Sequence, residues 1–199
     1  MKQQILVIHG GDTWKSRDEY LHFLSTVAIS FEKMTRLGWK ENLRTDLGDA
    51  FEVVLPAMPN KWDARFEEWK MVFEKLLPHL RDDLILIGHS MGGAFIVKYL
   101  AENAFPRRVK ATYLVAAPYR DNPPEYELLS FSPPKNLIRF NAQAGLITIY
   151  QGEDDPVVPR ADAEKYKKLL PESDLQFLAY RGHFGQEHFP ELTRSILDL

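Results

Sequence analysis

Leu84-Ile85-Leu86-Ile87-Gly88-His89-Ser90-Met91-Gly92-Gly93 is the stretch whose reading decides the fold. Four apolar β-formers run into a glycine, and a serine follows one residue later between that glycine and two more. Ala94-Phe95-Ile96-Val97-Lys98-Tyr99-Leu100 then reads as a helix with an apolar face. The sequence is strand, sharp turn, helix, with Ser90 at the apex of Gly-x-Ser-x-Gly. A nucleophilic serine on such a turn sits in a strained backbone and comes close to its neighbours. Gly88 and Gly92 remove the Cβ atoms that would collide. The turn also leaves the Met91 amide at a helix N-terminus, where it can donate to a developing oxyanion. The plainer reading, a glycine-rich strand-to-helix turn in any α/β protein, has to be separated from this by the rest of the chain.

Outward from that turn, strands and helices alternate. Ile5-Leu6-Val7-Ile8 reads as a fully buried first strand ending at His9-Gly10-Gly11-Asp12. Ser16 to Arg36 has helical spacing, with Tyr20, Phe23, Leu24, Val27, Phe31 and Met34 on one face. Leu37 to Ala50 is polar and punctuated by glycine, and reads as a loop. Phe51 to Leu55 is the second strand, stopped by Pro56-Ala57-Met58-Pro59. Trp62 to Leu80 is the second helix, with Phe66, Trp69, Val72, Phe73, Leu76 and Leu77 inward.

Beyond the central turn, Ala111 to Ala116, Leu146 to Tyr150 and Leu175 to Tyr180 read as strands. Arg160 to Leu170 and Phe189 to Leu199 read as helices. Pro118 to Gln143, with Pro123-Pro124 and Pro133-Pro134, is too proline-rich for one regular element and is the only stretch available as a lid. The alternation predicts an α/β fold: a single domain over residues 1–199, a three-layer α/β/α sandwich around a mostly parallel sheet of about six strands.

Composition narrows the function. The 199 residues are 45% hydrophobic and 27% charged, with net charge −3 and pI about 6.1. No electrostatic case exists for nucleic acid or an acidic membrane surface. There is no cysteine, which excludes disulfides, thiol catalysis and cysteine–zinc sites. The apolar run at the amino end is too short for a signal-peptide core, and no later run spans a bilayer, so the default expectation is a cytoplasmic protein. No phosphate-binding glycine motif is present, and no cofactor or metal is expected.

In a parallel sheet, functional groups gather beyond the carboxyl ends of the strands. Those ends hold His9-Gly10-Gly11 after the first, Ser90 after the third, Asp154-Asp155 after the fifth and His183 after the sixth. Serine, aspartate and histidine follow in the chain order of a hydrolase triad. Serine needs a base within hydrogen-bond reach, histidine titrates near neutrality, and a carboxylate fixes the imidazole tautomer. The expected assignments are Ser90 as nucleophile, His183 as base and Asp155 as orienting acid, with Asp154 the adjacent rival. Met91 and Gly11 amides are the expected oxyanion donors, and the Asp12 amide is the alternative for the second. Singly, each residue has a bland reading: a turn aspartate, a surface histidine. His9 reads as structural, His89 as pointing away from the serine, and His183 with His188 as unsuited to a metal.

Gly88-His89-Ser90-Met91-Gly92, Gly152-Glu153-Asp154-Asp155-Pro156-Val157-Val158-Pro159 and Gly182-His183-Phe184 together resemble the α/β-hydrolase superfamily. The short chain, Pro56-Ala57-Met58-Pro59 and Gly182-His183-Phe184-Gly185-Gln186 followed by Phe189-Pro190-Glu191-Leu192 resemble its small serine hydrolases of the retinoblastoma-binding-protein-nine type. In the family pattern Gly-x-x-Asp-x-x-Val-Pro, the triad acid falls on Asp155. The triad predicts a serine hydrolase acting on a small ester, thioester or amide. The resemblance tilts this towards a carboxylesterase or small peptidase, and the short Pro118–Gln143 lid predicts an open site for short-chain substrates. The opposing reading is a catalytically silent hydrolase fold used for binding or regulation. Two departures stand out. The His9–Pro59 segment is longer than in the family, and without cysteine the retinoblastoma-protein partnership is not carried over. The partner left is a small-molecule ester or amide, with no nucleic acid and no membrane.

Overall fold

The computed structural model describes residues 2–119 and 128–199, apart from the side chain of Lys33. The strands are β1 (Gln3–Ile8), β2 (Phe51–Val54), β3 (Leu84–His89), β4 (Val109–Val115), β5 (Leu146–Gly152) and β6 (Asp174–Leu178). They form one sheet in the order β2-β1-β3-β4-β5-β6, and every pairing is parallel. The helices are α1 (Arg17–Thr26), α2 (Phe31–Thr35), α3 (Trp39–Leu47), α4 (Phe66–Leu76), α5 (Met91–Glu102), α6 (Ile138–Gln143), α7 (Arg160–Leu169) and α8 (Pro190–Leu197).

The period of two along each strand sorts the core into two layers. Leu6, Ile8, Leu84, Leu86, Leu114 and Ile149 pack with Phe66, Trp69 and Phe73 of α4, Phe95 and Tyr99 of α5, Phe140 of α6 and Tyr166 of α7. Ile5, Val7, Ile85, Ile87, Tyr113 and Tyr150 face the other way, onto Trp39, Leu43 and Leu47 of α3 and Leu192 and Ile196 of α8. Leu84, Ile85, Leu86 and Ile87 are wholly buried, so β3 is the spine of both layers. Each such side chain contributes roughly 1.5–3 kcal/mol on burial. The chain leaves β1 for β2 on one side and returns to β3 on the other. That reversal opens a crevice at the carboxyl ends of β1 and β3.

Two expectations are corrected. Residues 37–50 are not a loop, because α3 occupies Trp39–Leu47. Trp39, Leu43 and Leu47 lie at i, i+4 and i+8 and give the helix a buried face. The Glu41 carboxylate accepts the Gly38 amide at 3.0 Å, capping its start. The second concerns residues 16–36. The helix breaks after Thr26, where Val27 is extended, and no residue of α1 is buried. Leu24 is exposed, and Phe31 and Met34 are 79% and 72% exposed. Helical spacing identifies which residues share a face, but only a neighbouring element can cover it, and α3 has taken the place on the sheet. Part of the expected lid, residues 120–127, lies outside the described residues. Of the rest, Ile138–Gln143 forms α6 against α5.

Candidate active site

The turn after β3 has the strain that its glycines foretell. Ser90 has φ 54° and ψ −127°, a region that L-residues occupy only when the surroundings enforce it. Its amide donates to the Val115 carbonyl at 2.8 Å, extending the β3–β4 ladder one step past the strand. Its carbonyl accepts the Gly93 amide at 2.8 Å, starting α5. A Cβ on Gly92 would lie 2.2 Å from the Ile8 carbonyl oxygen, and one on Gly88 2.5 Å from the Gly93 Cα. The elbow is therefore wedged between β1 and its own helix, with no room for side chains on either flank. Met91 opens α5, so its amide is one of the first-turn donors that no helical carbonyl can reach.

Asp155 follows β5 in a tight turn. One carboxylate oxygen accepts the amides of Val157 at 2.8 Å and Val158 at 3.0 Å, and the other accepts Gln151 Nε2 at 3.2 Å. Its side chain is 1% exposed. His183 Nδ1 lies 2.9 Å and 3.1 Å from the two carboxylate oxygens. Burial pushes the Asp155 carboxyl up, but the His183 ring and the Val158 and Val157 amides outweigh it and hold the group below the ordinary carboxylate range. Asp154 points elsewhere: it accepts the Gly182 amide at 2.9 Å and so ties the β5 turn to the histidine loop. Geometry thus separates the two adjacent aspartates.

The histidine loop is a short turn between residues with positive φ, Gly182 at 49° and Phe184 at 55°. Three anchors hold it. The Phe184 amide donates to the Arg181 carbonyl at 2.9 Å. Trp39 Nε1 donates to the Phe184 carbonyl at 3.0 Å. His89 Nε2 donates to the His183 carbonyl at 3.0 Å, and the two rings sit 5.0 Å apart. Burial, with the Lys40 and His183 charges nearby, pushes His89 well below the ordinary histidine value, so it is a neutral donor. The residue beside Ser90 thus holds the loop that carries His183.

His9, Gly10, Gly11, His89, Ser90 and His183 line one cavity of about 710 Å³ at the crevice between β1 and β3. His9 is held from both sides. Its Nδ1 donates to the Gly10 carbonyl at 2.6 Å and its Nε2 accepts the Met58 amide at 2.9 Å. Burial, opposed by the Gly10 bond, lowers its pKa, and its ring packs edge-on to Trp69 at 5.4 Å. A Cβ on Gly10 would lie 3.0 Å from the Ser90 Cβ, so this loop presses on the elbow. The Asp12 amide is already bonded to the Lys61 carbonyl at 2.8 Å and is not the alternative oxyanion donor. Gly11, also at the cavity wall, has room for no side chain, since a Cβ would meet the Lys61 carbonyl oxygen at 2.8 Å.

Leu55, Pro56, Ala57, Met58 and Val157 supply an apolar wall, and Lys40, Lys61 and Trp62 reach the same cavity. Sequence reasoning missed Lys40, Trp39 as an anchor and Gln151 as support for Asp155. The i, i+4, i+8 pattern of Trp39, Leu43 and Leu47 behind Gly38 was the signal for the first two. Gln151 carried none. Among the described residues there is no cluster of metal-binding side chains, and no helix is long and apolar enough to cross a membrane.

A family model described as serine hydrolase matches residues 31–191. It does not single out the retinoblastoma-binding-protein-nine type. No curated protein sequence matches the chain. Among solved structures, the ydeN gene product from B. subtilis superposes with a TM-score of 0.74 at 18% identity, over 99% of this chain and 98% of that one. The 2-hydroxy-6-oxo-6-phenylhexa-2,4-dienoate hydrolase of Rhodococcus sp. strain RHA1 gives 0.66 at 15% identity, over 98% and 89%. MenH from S. aureus gives 0.60 at 15% identity, over 98% and 92%. At such identities the likeness is one of fold, here the α/β-hydrolase fold.

Proposed function

The chain belongs to the serine hydrolase family, and from that premise we propose that it cleaves a small ester, thioester or amide through an acyl-enzyme, most simply as a cytoplasmic carboxylesterase. Ser90 Oγ attacks the substrate carbonyl carbon, and His183 takes the hydroxyl proton. Asp155, bonded to His183 Nδ1, fixes the ring so that its other nitrogen serves as the base, and stabilises the imidazolium. The amides of Met91 and Gly11 receive the oxyanion. His183 returns the proton to the leaving group. Water, deprotonated by the same imidazole, then attacks the acyl carbonyl and frees Ser90.

The observation that carries this reading is His183, bonded at Nδ1 to the buried Asp155 carboxylate and lining the same cavity as a serine with φ 54°. A purely binding role gives no reason for a strained serine and an oriented imidazole to share one cavity. The test is covalent labelling by a fluorophosphonate. Native protein should label and Ser90→Ala should not, and acetate or butyrate aryl esters should turn over. Absence of labelling on native protein, or equal labelling of the variant, would favour the silent-scaffold alternative.

A further inference from the structure

Lys40 is an odd occupant of its position. It lies in the first turn of α3, where the positive end of the helix dipole disfavours a cation. Its ammonium stands 4.9 Å from the centre of the buried Trp39 ring, whose edge packs on His89. Burial pushes it below the ordinary lysine value, with Glu41 opposing and Lys61 adding to the fall. Lys61 reaches the same cavity, with its own carbonyl fixed to the Asp12 amide. Lys40 and Lys61 thus line one cavity with Ser90 and His183, and both charges act on His9. Among the described residues neither forms an ion pair. The Glu41 carboxylate, the acid next to Lys40, is engaged by the Gly38 amide. Helix end, burial and a like charge all act against Lys40, and the Trp39 ring and the Glu41 charge are what favour its ammonium.

We propose that Lys40 and Lys61 form an anion subsite, and that the substrate is an ester, thioester or amide carrying a carboxylate besides the bond to be cut. The proposal rests on the hydrolytic reading for its chemistry but not for its binding. A monoanion fits better than a phosphate dianion: Asp12 and Glu41 also border the cavity, so its net charge is small. The apolar wall from Leu55 to Met58 accommodates the short chain between carboxylate and reacting carbonyl.

Two substrate pairs test the position of the charge. On the acyl side, the mono-4-nitrophenyl ester of adipate is compared with 4-nitrophenyl hexanoate. On the alcohol side, 4-acetoxybenzoate is compared with 4-acetoxybenzamide. In one of the pairs kcat/KM should favour the anion by about tenfold or more, the scale of a charge-assisted contact. That ratio should fall towards one in Lys40→Gln and in Lys61→Gln, and persist in Lys168→Gln on the exposed side of α7. Binding of adipate to Ser90→Ala, followed by calorimetry, needs no turnover. It should be weakened about tenfold by adding either lysine substitution. No anion preference in either pair, together with adipate binding indifferent to both lysines, overturns the subsite. Failure of fluorophosphonate labelling with lysine-dependent adipate binding retained would instead overturn the hydrolytic reading and leave the subsite standing.

Discussion

His183 Nδ1 lies 2.9 Å from Asp155 Oδ2, and the carboxylate it meets is buried under the amides of Val157 and Val158. The carboxylate is held by partners other than the imidazole, so it presents the ring with one fixed orientation. Replacing Asp155 by Asn keeps the shape but supplies no charge to the imidazolium and can favour the wrong tautomer. The expected loss is on the order of 10⁴ in kcat, read in steady-state ester hydrolysis. Asp154→Asn keeps an acceptor for the Gly182 amide and should lose less than about tenfold, since it only ties the loop down. If Asp154→Asn proves the more damaging, the orienting acid is misassigned.

Ser90→Ala and His183→Ala should each lower kcat on the order of 10⁶-fold, and the double variant should be no worse than either alone. In the proposed mechanism the two residues act as one proton-transfer unit, so losing either removes the whole. Additive losses would mean that they act in separate steps.

Gly92→Ala should be a folding defect rather than a local catalytic one. Its Cβ would stand 2.2 Å from the Ile8 carbonyl oxygen, which is β1 backbone and cannot rotate away. A cost of about 1–3 kcal/mol or more is expected in denaturant melts. Gly185→Ala, where a Cβ meets nothing within 4 Å, is the matching control.

Trp39→Phe removes one donor from a buried carbonyl of the histidine loop, that of Phe184. The orphaned carbonyl should cost about 1–3 kcal/mol of stability. Because the loop carries His183, kcat should fall more than KM changes. An equal effect on stability with unaltered kcat would show that the anchor is structural only.

The pH dependence of stability follows from His89 and Asp155. His89 is depressed in the folded state, so the unfolded chain takes up the proton first. Its stabilising share is intact above the ordinary histidine value of about 6.5 and declines as pH falls from there towards the folded pKa. Asp155 is also depressed, so its share is present above the ordinary carboxylate value and is lost as pH falls through its lower folded pKa. Denaturation midpoints of His89→Gln against native protein should converge as pH is lowered from 7 to 5. Parallel curves would rule out His89 as a buried neutral group.

The inner strands β1, β3 and β4 were legible because their apolar residues are buried on both faces and read as runs, a signal that survives without any neighbour in view. The edge strands β2 and β6 are only part-buried and read through their β-forming residues between turn signals. The elbow was legible for a different reason: a Cβ at Gly88 or Gly92 is impossible at that turn, and such an exclusion is written in residue type. The α3 helix was overlooked because its polar composition hid three buried residues spaced four apart. The apolar stripe of residues 16–36 misled in the opposite sense, since periodicity carries no information about what will cover it.

By itself the sequence determined the alternation of strand and helix, the strained serine and the order in which serine, acid and base follow one another. These are properties of local backbone and residue type. Which of two neighbouring aspartates meets His183, that His89 and Trp39 secure its loop, and that Lys40 comes from a distant helix to share a cavity with Lys61 were decided only by the tertiary structure. Those relations join segments separated by dozens of residues. Their distances are set by how the layers pack on the sheet, and no local rule of spacing contains that information.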